Sequence, residues 1–218
     1  MVVLCMMAKA PVAGEVKTRL CPPLSHDHAA ELAHAFIEDS WEAMQRVPDV
    51  VPALAYSGDV TLFSAGVTGV AGQTSWPQVD GDLGERIAGV IKECLARADA
   101  AIVVGSDSPG LPAELISHAL TALNDHDAVL GPSEDGGYYL IGCRRWIDGM
   151  LSGLPWSSSD TLAATSERLR ELGLKVAHTP TWFDVDDETD LRRLARAIRA
   201  DDIQAPATRR LLDEWQWR

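Results

Sequence analysis

Residues Ala100–Pro112, AAIVVGSDSPGLP, carry a buried strand straight into a polar turn. Ala101 to Val104 are small or β-branched apolar residues without alternation, the pattern of a strand covered on both faces. Asp107 follows at once, so a carboxylate stands at the carboxyl end of a central strand, the edge of an open α/β sheet where ligands bind. Pro109 stiffens the turn, Gly110 lets it bend, and Pro112 suits the first turn of a helix over Ala113 to Leu123. An acid in such a turn also serves as an ordinary cap, so Asp107 alone leaves a capping role and a ligand-binding role open.

Working outward, strand and helix signals alternate. Apolar runs at Val2 to Met7, Val50 to Tyr56, Ala128 to Leu130, Tyr138 to Ile141 and Val176 to His178 read as strands, with a weaker one at Gly69 to Gly72. Ser25 caps an amphipathic helix reaching about Arg46, with Leu32, Ala35, Phe36 and Ala43 on its buried side. Further helices are expected from Asp82 to about Ala98, from about Asp160 to Leu172, from about Thr189 and around Leu211, with a short one at Asp59 to Ala65. This alternation predicts an α/β fold, a three-layer α/β/α sandwich with a mostly parallel central sheet. With no internal repeat and no biased linker, residues 1–218 read as one domain, its core reaching about residue 195 and a tail spanning 200–218. Trp215 and Trp217 in that tail either dock on the domain or form a subunit contact, which leaves a homodimer open.

Charge narrows the function. The formal net charge is −13, with 46% hydrophobic and 23% charged residues. So acidic a chain is not expected to bind nucleic acid, and an anionic substrate must be held by local cations or a metal. Cys5, Cys21, Cys94 and Cys143 are widely spaced without a C-x-x-C pair, as small buried hydrophobes are in a reducing compartment. No signal peptide or membrane span is legible, so a cytoplasmic location is expected. His26, His28 and His34 share no ligand-like face with carboxylates and read as surface or capping residues.

Four stretches carry candidate chemistry. AKAPVAGEVKTRL, Ala8 to Leu20, sets Lys9, Lys17 and Arg19 against the single acid Glu15 directly after the first strand. Gly14 permits close backbone approach there, and the cations suit phosphate oxygens. The loop is neither a Walker motif nor a G-x-G-x-x-G fingerprint. WPQVDGDLGER places Gln78, Asp82 and Arg86 before a helix, Asp82 as its cap and as a candidate nucleotide contact. GPSEDGGYYLIG holds Asp135, Gly136 and Gly137 in a turn that begins at the same sheet edge as Asp107. TPTWFDVDDETDL crowds Asp184, Asp186, Asp187, Glu188 and Asp190, acids that must face solvent, cap a helix or meet a cation. If these loops converge, Lys17 and Arg19 hold a polyphosphate while Asp107 and Asp186 hold Mg²⁺, a hard cation that takes oxygen ligands.

These blocks, KAPVAGEVKTRL, GDLGER, GSDSPGLP, GPSEDGGYYLIG and FDVDDETDL, resemble the nucleotide-diphospho-sugar transferase superfamily with its GT-A-like fold. The closer resemblance is to the DUF2064 glycosyltransferase-like group, related to the 2-phospholactate and molybdenum-cofactor guanylyltransferases. It covers about the first 195 residues. It implies that Lys9, Gly14, Lys17 and Arg19 contact nucleotide phosphates, and that Asp107 and Asp186 bind Mg²⁺ or Mn²⁺. By the same resemblance Asp135, Gly136 and Gly137 line the acceptor side. Two departures stand out: the central turn reads S-D-S where sugar transferases carry D-x-D, and Asp187 replaces the Thr of a D-V-D-T block. The second leaves open which of Asp184, Asp186 and Asp187 faces the metal. The resulting expectation is nucleotidyl transfer from a nucleoside triphosphate to a small acceptor bearing a phosphate or acid, with pyrophosphate released and Lys17, Arg19 and Asp107 as catalytic groups. The alternatives are glycosyl transfer from a nucleotide sugar, and a nucleotide-binding regulator without catalysis.

Overall fold

A seven-stranded sheet organises the computed structural model, which describes residues 1–64, 66–67 and 74–217. Its strands are β1 (Val2–Lys9), β2 (Val50–Ser57), β3 (Ser75–Pro77), β4 (Ala100–Gly105), β5 (Ala128–Pro132), β6 (Tyr138–Cys143) and β7 (Val176–His178). They lie in the order β3-β2-β1-β4-β6-β5-β7. β6 runs antiparallel to both its neighbours and the other pairings are parallel. The carboxyl ends of β1, β4, β5 and β7 and the start of β6 therefore share one edge.

Alternation along the strands builds a core on each face. Leu4 and Met6 of β1, Ile102 and Val104 of β4 and Leu140 of β6 pack with helices α1 (His26–Gln45) and, after β4, Ala113–Ala122. Val3, Cys5, Ala101, Val103 and Ile141 face the other way, against the helices Leu83–Leu95 and Thr161–Glu171. In chain order these are α2 (Leu83–Leu95), α3 (Ala113–Ala122) and α4 (Thr161–Glu171), followed by α5 (Glu188–Arg199) and α6 (Pro206–Glu214). The layered α/β/α architecture is the one the strand and helix alternation predicts. Cys5, Cys94 and Cys143 are buried free thiols, and burial pushes the Cys143 thiol up to about 12. Among the described residues no helix is long and apolar enough to cross a membrane.

Some local expectations shift. The weak strand expected at Gly69 to Gly72 lies outside the described residues. The sheet instead gains β3, where Ser75 and Trp76 pair with Leu54 and Ala55. An edge strand of three residues ending in Pro77 has no periodicity to read. The short helix expected over Asp59 to Ala65 is a 3-10 turn at Val60–Leu62, started by an Asp59 side chain that accepts from the Thr61 amide at 2.9 Å. Ala65 is not among the described residues.

The tail docks on the domain through a buried carboxylate. Asp39 of α1, 3% exposed, accepts hydrogen bonds from the amides of Ala207 and Thr208 at 2.8 and 2.9 Å and from the Thr208 hydroxyl at 2.6 Å. Those amides belong to the first turn of α6, whose N–H groups have no partner within their own helix. One helix thus caps another, and the positive end of the α6 dipole lies against the acid. Trp215 completes the contact by stacking on His28 with ring centroids 4.6 Å apart. Asp39→Ala orphans three buried donors, so it should cost about 2–4 kcal/mol. Urea unfolding checks this as a lowered midpoint with an unchanged slope.

Candidate active site

The loop between β1 and α1 delivers a lysine to the carboxyl edge of the sheet. Lys17 adopts a left-handed backbone, φ +47°, at the start of the 3-10 turn Thr18–Leu20, and Leu20 beneath it is fully buried. Its side chain is only 7% exposed, with the ammonium 5.6 Å from the Phe36 ring centroid. Three acceptors meet it there: Asp107 Oδ1 at 2.7 Å, the Val185 carbonyl at 2.7 Å and Asp186 Oδ1 at 3.5 Å. The ammonium donates hydrogen bonds to the Val185 carbonyl and Asp186 and forms a close ion pair with Asp107.

The two acids arrive from opposite ends of the chain. Asp107 sits on the turn after β4. Asp186 is brought from β7, at the sheet's far edge, by a segment that runs back across the strand ends. Trp182 bridges to Ser133 beyond β5 and donates its amide to Pro132 at 3.0 Å, and the Val185 amide then donates to the Asp107 carbonyl at 2.9 Å. Asp187 takes no part: its side chain accepts from the Thr189 and Asp190 amides in a capping box that opens α5. Of the three acids left open by the sequence, Asp184 and Asp186 therefore face the site.

Asp184 and Asp135 complete a cluster of four carboxylates. Ser108 donates to Asp184, while Asp135 accepts from Ser133 and from the Gly137 amide at 2.9 Å. Burial, reinforced by the charges of Asp107, Asp135 and Asp186, raises the Asp184 carboxyl to about 6 in spite of the Ser108 hydrogen bond. Glu134 accepts a two-pronged pair from Arg193 of α5 at 2.6 and 2.9 Å, which ties the β5–β6 turn to the segment bearing Asp184 and Asp186.

A cavity of about 530 Å³ collects these groups. Lys9, Lys17, Arg19, Asp107, Asp135, Gly137 and Asp186 all line it. Arg19 is 79% exposed, 3.8 Å from Asp186, and Lys9 pairs with Glu15 at 3.1 Å. Three candidates stand outside the lining. Gly14 turns the β1 loop at φ +80°, and Gly136 turns the hairpin at φ +89°, where a side chain would strike Ser159. Asp82 caps α2 in a reciprocal box with Glu85. Sequence reasoning passed over other lining groups, among them Trp156, Ser158 and Thr161. The first two come from the stretch Pro155–Ser159 before α4 and Thr161 opens α4 itself, and Trp156 reaches the site because Gly84 leaves room for its indole.

The donor set suits a hard divalent cation. Asp107 and Asp186 are about half exposed, face one cavity, and each keeps a carboxylate oxygen that Lys17 does not engage. Among the described residues no three acids, histidines or cysteines form a cage of their own. Mg²⁺ is ordinarily held by one or two carboxylates with substrate phosphates and water making up its shell, so the residues present fit.

A family model described as an uncharacterized protein conserved in bacteria (DUF2064) matches residues 40–158. The chain belongs to the DUF2064 family. A crystal structure from Desulfovibrio desulfuricans G20, provisionally described as a nucleotide-diphospho-sugar transferase, is 32% identical; 98% of this chain and 95% of that one align with a TM-score of 0.85. The same fold recurs in CMP:2-keto-3-deoxy-manno-octonic acid synthetase complexed with CTP, at 16% identity and TM-score 0.59 over 93% of this chain and 99% of that one. It recurs again in Mycobacterium tuberculosis glucosyl-3-phosphoglycerate synthase in complex with Mn²⁺, UDP and glucosyl-3-phosphoglycerate, at 11% identity and TM-score 0.54 over 84% of this chain and 70% of that one. No curated protein matches the chain.

In this DUF2064 chain the raised Asp184 carboxyl has a consequence for stability. The folded state holds its proton up to about pH 6, whereas the unfolded chain releases it near pH 4. The protonated group therefore contributes stability that is fully present below about pH 4 and is lost as pH rises through about 6. Asp184→Asn should flatten that decline and, at pH 8 without ligands, stabilise the protein by on the order of 1–3 kcal/mol. Denaturant midpoints of both proteins measured from pH 4 to 8 check the sign.

Proposed function

We propose that the protein is a nucleotide-dependent transferase that moves a nucleotidyl group from a nucleoside triphosphate to a small acceptor bearing a phosphate or acid. The observation that carries this reading is the meeting of Lys17, Asp107 and Asp186, from three separate loops, in one cavity at the carboxyl edge of the sheet. An acceptor oxygen forms a bond to the α-phosphorus as the bond from that phosphorus to its bridging oxygen breaks, and the electron pair leaves with pyrophosphate. An acceptor phosphate or carboxylate is already ionised at neutral pH, so no base is needed and positioning dominates. Arg19, largely exposed at the rim beside Asp186, would meet the phosphates in bidentate fashion, while Lys17 holds Asp107 and Asp186 in register. A divalent cation on Asp107 and Asp186, Mg²⁺ or Mn²⁺, would supply charge neutralisation for the polyphosphate. The 32% identical structure provisionally described as a nucleotide-diphospho-sugar transferase, and the CTP and UDP named for two proteins of the same fold, support a nucleotide as substrate.

Asp135 and Asp184 favour a second reading from the same cavity, glycosyl transfer from a nucleotide sugar, in which one of these acids accepts the proton of an acceptor hydroxyl. The S-D-S turn, with one acid where sugar transferases carry two, supports nucleotidyl transfer instead.

Incubation with a panel of nucleoside triphosphates, Mg²⁺ and phosphorylated or carboxylated acceptors should release pyrophosphate. Asp107→Asn keeps an oxygen for Lys17 and should lower that release at least ~100-fold with little change in melting temperature. Turnover of nucleotide sugars without pyrophosphate would instead establish glycosyl transfer.

A further inference from the structure

Four cations line the cavity, and three of them have acidic partners: Lys9 with Glu15, Lys17 with Asp107 and Asp186, and Arg19 with Asp186. Arg86 has none among the described residues. It is held instead by a neutral side chain, donating from Nε at 2.8 Å and from Nη2 to the single oxygen of Gln78. Gln78 is itself fixed to the sheet. Its amide nitrogen donates to the carbonyls of Ala55 at 2.7 Å and Ala8 at 3.3 Å, and its backbone N–H donates to Tyr56 at 2.7 Å. The carboxamide has no donor left, so it acts as a bracket that sets the plane of the guanidinium. Two of the five guanidinium N–H groups are spent on that bracket, and the distal fork, one N–H on each terminal nitrogen, remains available.

The position of this fork assigns it a ligand. Gln78 follows β3 and bonds to β1 and β2, whereas the four carboxylates and Lys17 gather at the ends of β4, β5 and β7. The phosphates and their cation belong with the acids, so the nucleoside extends toward β3. There Leu83, Arg86 and Ile87 share one face of α2 by their three- and four-residue spacing, and Met7 lines the same cavity. Leu83 is 41% exposed, one of few large apolar side chains so open to solvent. Apolar walls with a single fixed fork of donors suit a planar heterocycle better than a hydrated anion.

Resting on the transferase reading above, we infer that Arg86, bracketed by Gln78, selects the base of the nucleotide. A fork of two parallel N–H donors requires two adjacent acceptors on one edge. Guanine offers them at N7 and O6 and cytosine at O2 and N3. Adenine sets an amino donor beside N7 and N1, and uracil sets an N–H between its two carbonyls. The site therefore takes guanine or cytosine nucleotides and disfavours adenine and uracil nucleotides. The preference belongs to the base and is the same for a triphosphate or a nucleotide sugar.

Calorimetric titration with GTP, CTP, ATP and UTP, and with the four diphosphates, each in Mg²⁺, tests this. The expected result is that a guanine or cytosine nucleotide binds about 10–100-fold tighter than those of adenine and uracil, the range a bidentate contact supplies. Arg86→Lys, which keeps the charge but removes the planar fork, should erase that preference while changing ATP affinity less than about threefold. Arg86→Met should do the same. Adenine or uracil nucleotides binding as tightly as the best of the others overturns the inference. So does a parallel loss of all nucleotides in Arg86→Met that Lys restores, since that is the behaviour of a phosphate anchor. In either case the transferase reading stands. If no nucleotide binds the wild-type protein, that reading and this inference fall together.

Discussion

One buried ammonium holds the candidate site together. Lys17 is almost withdrawn from water, a position costly for a charged group unless its charge and polar hydrogens find partners. They are met by a carboxylate from the middle of the sheet, a carboxylate from the far end of the chain, and the backbone carbonyl between Asp184 and Asp186. The left-handed turn at Lys17, the Phe36 ring beneath it and the return of the chain over the strand ends are conditions for that meeting. Without the cation, four carboxylates would face one another across one cavity. With it, two of them keep an oxygen for other partners.

The layers and most elements were legible because they rest on periodicity and capping chemistry, which are local. Ser25 and Asp82 both cap the helices expected of them, and the latter does so with Glu85 three residues on. Legibility failed where the cause was not local. Three residues of β3 owe their strand character to β2 alone. The place of β6 between β4 and β5 is a choice of neighbours that no pattern inside Tyr138–Cys143 encodes.

The candidate site was legible to a similar depth. The chemistry of each block could be read from its residue types, and seven of the predicted side chains and turns do share one cavity. The crowded acids of Asp184 to Asp190 could not be sorted by type, since each is a carboxylate. Helix position sorts them: Asp187 and Asp190 are consumed by the start of α5, and Asp184 and Asp186 lie on the extended segment before it. Trp156 was missed because its route to the cavity depends on the missing side chain of Gly84, some seventy residues earlier.

The reversed strand gives the two sides of the cavity different mechanical characters. Loops that leave a parallel strand for a helix are anchored in the sheet at one end. The turn between β5 and β6 is anchored at both, because its two strands pair with each other, and Arg193 braces its middle. Asp135 thus sits on a stiff arch, whereas Gly14 and Arg19 ride on the loop that runs from β1 to a helix. On the proposed transferase reading, such a scaffold can trade one acceptor for another by rewriting the short arch, while the loop proposed to hold the nucleotide stays as it is.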